Sequence, residues 1–270
     1  MAEDLTAAVK SQFGPAAADY AASPVHAQGE SLARIVELTA PKKTWDALDV
    51  ATGAGHTAAI FAPHVASMIA SDITDEMLQE AAKLANARRI SNMLTVPAAA
   101  DALPFPDESF DLVCCRLAAH HFPSLESFVR EVRRVLKNGG RFALVDNVAP
   151  DSAHLPDVND ADIAATVASY NSFEKLRDPS HNFAPPPELW IELLKSNGFT
   201  IAANEQIEKE LEFAPWVARM RCTQGVIAEL EGILTVGPKP LRAFLKPRHD
   251  ESGALHFTLQ ELLLVAEKHG

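Results

Sequence analysis

The chain has 270 residues, 47% of them hydrophobic, and a formal net charge of −12 at pH 7. This length suits one large domain with insertions, or one domain with a small cap, and the negative charge argues against a nucleic-acid partner or an anionic membrane. No apolar run approaches the roughly 18 residues of a membrane-spanning helix, and the first residues carry no signal pattern. Three cysteines, two of them adjacent (Cys114 and Cys115), suggest neither a disulfide framework nor a metal site. We therefore expect a cytoplasmic protein without a metal.

The first 45 residues predict an amphipathic helical arm that is broken at Pro24. Two roles are open for this arm. In one, the arm packs over an edge of the main sheet; in the other, Tyr20 or Ser23 closes over a bound ligand. The two roles are compatible, because one arm can do both.

A glycine-rich turn follows, between a strand and a helix. The apolar run that ends at Val50 predicts a buried strand, and the segment from Thr57 onwards predicts a helix. Glycines in such a turn let the backbone approach a ligand, and the helix start leaves N–H groups free. The motif Gly53-x-Gly55-x-x-Ala58 by itself also fits dinucleotide binding. Asp49 favours another ligand, because its carboxylate repels a diphosphate but not an ammonium and a sulfonium.

Two further carboxylates follow predicted strands. Asp72 comes after a strand over 65–70 and lies 17 residues beyond Gly55, close to the spacing at which an acid binds a ribose diol. Asp101 follows a strand over 92–99, at the sheet edge where open α/β sheets bind ligands. There it can accept from the amine of adenine, with the N–H of Ala102 as a donor. A turn residue and a loop cap are the structural alternatives.

The fourth strand, over 110–115, leads into adjacent histidines, His120 and His121. Histidines at the carboxyl edge of a sheet are candidates for a base or a substrate contact, although a structural role is equally open. The clearest predicted helix covers 124–137, and the two glycines that follow it are expected to end it. A fifth strand is predicted over 141–148.

The ordered motifs resemble those of a known family. They are LDVATGAGHTA, SDITDEML, AADALPFPDESFDLV, CRLAAHHF and EVRRVLKNGG, and the resemblance as a whole covers residues 13–147. The set resembles class I S-adenosylmethionine-dependent methyltransferases, and more narrowly the small-molecule enzymes related to ubiquinone and menaquinone biosynthesis. The segments GHTA, CR-x-AAHHF, 177–181 and 213–216 are similar to those of an uncharacterised bacterial subgroup. In the LKPGG turn of the family, Asn138 here replaces the proline.

The resemblance implies a binding site for the cofactor S-adenosylmethionine, which the reaction converts to S-adenosylhomocysteine. Asp49, Gly53 and Gly55 would hold its methionine part, Asp72 its ribose, and Asp101 with Ala102 its adenine. The other cofactor contacts that we expect are Tyr20, Ser23, Ala51, Thr57, Ile73 and Arg116. The candidate bases are His120, His121 and His181.

The resemblance also implies a fold: a Rossmann-like α/β sheet of seven mostly parallel strands with an antiparallel last strand, helices on both faces and helical lid insertions. We expect a helical arm over the cofactor site at 1–45, the cofactor-binding core at 46–149, a core helix and strand at 186–213 and the last strand at 248–270. The segments 150–185 and 214–247 would be insertions that roof the carboxyl edge and form the acceptor pocket. Phe213, Trp216 and Tyr170 are predicted to be lid core.

The predicted activity is methyl transfer to an O or C atom of a small organic molecule, by in-line displacement. One alternative is an NAD(P)-dependent oxidoreductase, which the glycine motif permits. Another is a protein that binds S-adenosylmethionine without methyl transfer. We expect no nucleic-acid partner and no membrane insertion, and the sequence leaves the choice between monomer and homodimer open.

Overall fold

The computed structural model describes residues 2–18 and 29–270, and within these residues eight strands form one mixed sheet. The strands are β1 Asp46–Val50, β2 Ser67–Asp72, β3 Met93–Pro97, β4 Phe110–Arg116, β5 Leu136–Asn147, β6 Phe199–Glu212, β7 Arg248–His249 and β8 Leu255–Lys268. Their order is β3-β2-β1-β4-β5-β8-β6, and β7 pairs with β8. Only β8 runs antiparallel to both neighbours in this order. The predicted fold class is confirmed; the two-residue β7 adds an eighth strand to the seven expected.

Helices cover both faces of the sheet. Those in the described part of the chain are α1 Ala2–Phe13, α2 Glu30–Thr39, α3 His56–Phe61, α4 Asp75–Ala87, α5 Leu125–Val135, α6 Asp160–Arg177, α7 Pro187–Ser196, α8 Phe213–Arg219, α9 Gln224–Val236 and α10 Lys239–Leu245. On one face, α5 and α7 pack on the sheet through Phe128 and Trp190. On the other, α2 and α3 contribute Ile35 and Phe61. No helix of the described segments is long and apolar enough to cross a membrane.

The last strand belongs to three apolar clusters. Along β8, Leu262 and Leu264 face the α5 and α7 side, whereas Leu263 and Val265 face the α2 and α3 side. This alternation buries both faces of the strand, as expected for the interior of a sheet. Earlier in β8, Phe257 packs into a third cluster that is formed by the helices outside the sheet.

The third cluster joins the two predicted insertions. The helix α6 lies in the first insertion, and α8, α9 and α10 lie in the second, between the antiparallel strands β6 and β8. Trp216 stacks on Phe173 with ring centroids 5.2 Å apart and meets Phe257 edge-on at 4.8 Å. Phe213 and Tyr170 are buried in the same cluster. These aromatic side chains form the core of the insertions, as expected for lid core.

The end of α5 differs from the prediction. The helix begins after Ser124, whose Oγ accepts from the backbone N–H of Ser127 at 3.1 Å, but it ends at Val135 and β5 starts directly at Leu136. The glycines therefore lie within the strand rather than stopping the helix. A Cβ on Gly140 would lie 2.8 Å from the carbonyl oxygen of Lys137, so this position needs glycine because two backbone segments meet there.

Candidate functional site

A cavity opens where the carboxyl ends of β1, β2, β3 and β4 meet. With its open mouth included, it measures about 1140 Å³, enough for a nucleoside-sized ligand. The turns that follow these strands form one wall, and α1 contributes Thr6, Val9 and Phe13 to the lining. The site is therefore assembled from short loops on a rigid sheet and from a helix of the N-terminal arm.

Asp72 links two of these loops. One carboxylate oxygen accepts from the N–H of Gly53, and the other accepts from the N–H of Thr74, both at 2.9 Å. The residue is only 7% exposed, lines the cavity, and has a pKa raised by burial. The predicted ribose-binding acid is thus at the cavity, where its hydrogen bonds also fix the glycine turn.

Asp49 does not line the cavity. Its Oδ2 accepts from the Oγ1 of Thr52 at 2.6 Å and from the N–H of Ala58 at 3.0 Å, and the Sγ of Cys114 donates to its Oδ1 at 3.5 Å. Burial raises the pKa of this carboxyl to about 7. The expected contact with the methionine part of the cofactor has no support in this geometry, because the carboxylate is directed into the protein. Instead it joins the end of β1 to the start of α3.

The two predicted glycines have different roles. Gly53 has a φ of +54° and lines the cavity, and a Cβ added there would meet no atom within 4 Å. Gly55 has a φ of +86° and lies outside the cavity lining; a Cβ there would lie 2.8 Å from the Cβ of Ala81 in α4. Gly55 is therefore a packing residue, which brings the turn against α4, rather than a ligand contact.

The remaining predicted cofactor residues divide into three groups. Ala51, Thr57, Ile73, Asp101 and Arg116 line the cavity. Ala102 does not, and its N–H donates to the carbonyl oxygen of Ala99 at 3.2 Å, so the expected donor to adenine is already used. Tyr20 and Ser23 lie outside the described residues.

A second pocket adjoins the cavity. We call it the histidine pocket; its lining includes His120, His121, Asn147, Glu174, Arg177, Asp178 and Lys209. The cavity and the histidine pocket share Phe13, Leu117 and His121, and the ring of His121 meets the ring of Phe13 edge-on at 5.2 Å. A ligand in one therefore lies next to a ligand in the other.

His120 is oriented by Asp146. Its Nδ1 lies 2.5 Å from one carboxylate oxygen, and its backbone N–H donates to the other at 2.9 Å. Burial disfavours the charged imidazole, but the charge and hydrogen bond of Asp146 outweigh burial, and the pKa of His120 is raised. When neutral His120 donates its Nδ1 proton to Asp146, its lone pair is on Nε2. A histidine held in this way can accept a proton.

The other two candidate bases are in less suitable surroundings. The Nδ1 of His121 lies 3.1 Å from the carbonyl oxygen of Ser180, and burial together with the charge of His120 lowers its pKa to about 4. The Nε2 of His181 lies 2.9 Å from the Oδ1 of Asn171, and His181 lines neither the cavity nor the histidine pocket. Burial, followed by the charge of His120, lowers its pKa to about 2.

Sequence reasoning missed the residues that surround His120. Asp146 falls inside the predicted fifth strand over 141–148, and no sequence pattern distinguishes Glu174, Asp178 or Lys209. A carboxylate inside an otherwise apolar strand, a feature that Asp146 shares with Asp49, is the signal that could have indicated Asp146. Within the described residues, no group of three or more His, Cys, Asp or Glu is placed to hold a metal ion.

Comparison with known proteins shows the family. Residues 48–144 match the family described as a methyltransferase domain. The methyltransferase YcgJ of Bacillus subtilis is 34% identical over 207 residues, which are 77% of this chain and 78% of that protein. The chain belongs to the class I methyltransferases.

Solved structures agree with this assignment. A candidate methyltransferase from Bacillus halodurans is 35% identical to this methyltransferase, with a TM-score of 0.81 over 90% of this chain and 100% of that one. The crystal structure of Bacillus subtilis YcgJ gives a TM-score of 0.80 at 29% identity. A ubiquinone/menaquinone biosynthesis C-methyltransferase from a Marinomonas species is 36% identical, but only over 42% of this chain and 47% of its own length.

The two glycines provide a matched pair of substitutions. Gly55→Ala should lower the free energy of unfolding by about 2–4 kcal/mol, because the added methyl group overlaps Ala81 and the backbone is strained. Gly53→Ala has room for the methyl group and should cost only about 1–2 kcal/mol for its left-handed backbone. Urea unfolding measures both. Equal losses would contradict the packing role of Gly55.

Asp49→Asn should change how stability depends on pH. The folded-state pKa of Asp49 is raised from 3.8 to about 7, so the folded state binds the proton more tightly, and its contribution to stability is lost as pH rises from about 4 to 7. Asparagine removes that loss. Relative to wild type, the variant should gain up to about 4 kcal/mol between pH 4 and pH 8, as measured by urea unfolding at several pH values.

Asp250→Asn is the control of opposite sign, because hydrogen bonds from Ser252 and the backbone lower the pKa of Asp250. The stability of Asp250→Asn relative to wild type should therefore become less favourable as pH rises through the range below about pH 4, and should stay constant from there to pH 8. If the difference in unfolding free energy between Asp49→Asn and wild type does not change with pH, folding does not raise the pKa of the Asp49 carboxyl.

Proposed function

We propose that this methyltransferase uses S-adenosylmethionine to methylate an O or C atom of a small organic molecule. The observation that carries the proposal is the junction of two sites: a nucleoside-sized cavity at the glycine turn, and a pocket with an oriented histidine, in contact through Phe13, Leu117 and His121. Methyl transfer needs this arrangement, because donor and acceptor must lie side by side and shielded from water.

The residues at the cavity suit this cofactor. Asp72 and Asp101 offer carboxylates for ribose hydroxyls and for an exocyclic amine, and Ile73 and Met77 offer an apolar surface. The turn suits a dinucleotide less well. The N–H of Gly53, which would bind a diphosphate, already donates to Asp72. The buried carboxylate of Asp72, next to this N–H, would also repel a phosphate.

When bound, S-adenosylmethionine supplies a methyl group on a sulfonium, with neutral S-adenosylhomocysteine as the product. The protein's part is to place the acceptor and to take its proton. His120 can do this through Nε2, because Asp146 holds the proton of Nδ1 and stabilises the imidazolium that forms. The proton from an acceptor hydroxyl or acidic carbon thus passes to His120.

Calorimetric titration with S-adenosylmethionine, S-adenosylhomocysteine and NAD tests the proposal. We expect micromolar binding of the two sulfur ligands and no heat from NAD. Acceptors are then sought by release of S-adenosylhomocysteine. Binding of NAD alone would overturn the proposal, and tight binding of the sulfur ligands without release from any acceptor would favour a binding protein.

Asp72→Ala should weaken the binding of S-adenosylhomocysteine by a few kcal/mol at most, because one or two charge-assisted hydrogen bonds are lost. The same titration measures the change. Asp101→Ala is the comparison, since Asp101 lines the same cavity but is exposed. This substitution should weaken the binding of S-adenosylhomocysteine less than Asp72→Ala does. Unchanged affinity for Asp72→Ala would remove the ribose assignment.

Turnover should rise with pH as His120 loses its proton. Since the pKa of His120 is raised above its ordinary value of 6.5, the midpoint of the rise should lie above pH 6.5. Asp146→Asn removes the raising charge, so it should move the midpoint to lower pH and reduce the plateau rate. Nitrogen-15 NMR titration of labelled histidine reports the same pKa without an acceptor.

His154→Asn serves as the control, because His154 also pairs with an aspartate, Asp151, but lines neither the cavity nor the histidine pocket. It should leave the midpoint of the pH profile in place. If Asp146→Asn also leaves the midpoint unchanged, His120 is not the group that sets the pH dependence.

A further inference from the structure

The charged groups of the histidine pocket are mostly engaged within the protein. Asp178 accepts from the N–H of Ser180 at 2.9 Å and from its hydroxyl at 2.5 Å. Lys209 pairs with Glu261 at 2.6 Å, His120 pairs with Asp146, and Arg219, which also lines the pocket, has an interaction of its own. These groups shape the pocket but have little capacity left for a ligand.

Glu174 and Arg177 differ from the rest. They lie three residues apart on α6, a spacing at which a helix commonly forms an ion pair, yet no ion pair joins them. The guanidinium of Arg177 lies 4.4 Å from the ring centroid of Trp216, and its Nε donates to the carbonyl oxygen of Trp216 at 3.1 Å. The guanidinium is therefore engaged with Trp216, although its charge still acts on the carboxylate of Glu174.

Burial raises the pKa of Glu174, and the charges of Arg177 and His120 lower it without forming an ion pair within the described residues. The residue is 5% exposed, and its Oε1 has no hydrogen bond within the described chain although it lines the pocket. Arg177 likewise forms no ion pair with a carboxylate of the described residues, where its side-chain hydrogen bond goes to the carbonyl oxygen of Trp216. Leaving a buried carboxylate unpaired is costly, so this pocket presents one negative and one positive group that a ligand can satisfy.

We propose that the histidine pocket binds a small amphoteric acceptor, whose amino group pairs with Glu174 and whose carboxylate pairs with Arg177. This inference rests on the proposed function for calling the ligand an acceptor. A long apolar acceptor is disfavoured, because it would leave both charges buried and unpaired. Guanidinium suits a carboxylate particularly well, since it donates two parallel hydrogen bonds.

Four phenols with one skeleton test the charges separately. Tyrosine carries both groups, tyramine only the amine, 3-(4-hydroxyphenyl)propanoate only the carboxylate, and 4-ethylphenol neither. Each is titrated into the protein saturated with S-adenosylhomocysteine, and binding is followed by ligand-observed NMR. We expect tyrosine to bind at least about tenfold more tightly than either singly charged compound, because each charged hydrogen bond contributes about that factor.

Two variants assign the preference to residues. In Glu174→Gln, the affinity for tyrosine should fall to the affinity that wild type has for 3-(4-hydroxyphenyl)propanoate. In Arg177→Gln, it should fall to the affinity that wild type has for tyramine. Neither residue lines the cofactor cavity, so both variants should bind S-adenosylhomocysteine as wild type does, which also shows that they are folded. Tightest binding of 4-ethylphenol, equal binding of all four, or no binding of any would overturn the inference. Failure of S-adenosylhomocysteine to bind would instead overturn the proposed function.

A stability measurement tests the unpaired carboxylate without any ligand. If Glu174 is unpaired, Glu174→Gln should raise the midpoint of thermal unfolding by about 2 °C or more at pH 8. Glu131→Gln is the matched control, because the Glu131 carboxylate accepts from Arg134 at 2.7 Å and from the N–H of Leu103 at 2.8 Å, and its substitution should lower the midpoint. A lower midpoint for Glu174→Gln would mean that the protein itself satisfies this carboxylate.

Discussion

Buried aspartates that bind backbone N–H groups hold the carboxyl edge of the sheet together. Asp49 in β1 accepts from Ala58, Asp72 in β2 accepts from Gly53 and Thr74, and Asp146 in β5 accepts from His120 and Asn147. Each carboxylate lies at or near the end of its strand and fixes a loop that leaves the sheet. Loops normally vary in position, but loops anchored in this way keep a ligand site in one geometry.

This arrangement has a cost in stability. Removing a carboxylate from water disfavours its charged form, which is why the pKa values of Asp49 and Asp72 are raised. The N–H donors offset part of the penalty, since hydrogen bonds to a charged acceptor are stronger than neutral ones. The protein therefore gives up stability at neutral pH in exchange for loops that are anchored to the sheet. Preorganisation of this kind is what an enzyme gains from a strained or buried polar group.

The sequence predicted the sheet and the position of the cavity, because both follow from the hydrophobic pattern and the glycine turn. It could not tell what each carboxylate binds. Asp49 and Asp72 carry the same signal, a carboxylate at a strand end, yet Asp49 points into the protein and Asp72 lines the cavity. The direction depends on which backbone N–H groups the finished fold leaves without partners. For the same reason, the choice of His120 over its neighbour required Asp146, which is 26 residues away in the chain.

The histidine pocket also draws on a part of the chain that the cavity does not use. The glycine turn, Asp72 and Asp101 lie within residues 48–144, the segment that matches the family. Glu174, Arg177 and Trp216, which set the charges of the histidine pocket, lie outside it, in the helices that pack on the first half of β8. Strand β8 belongs both to the sheet core and to the cluster of these helices, so the helices pack directly on the sheet. Under the proposed function, substitutions in these helices can change acceptor preference while the cavity at the glycine turn stays the same.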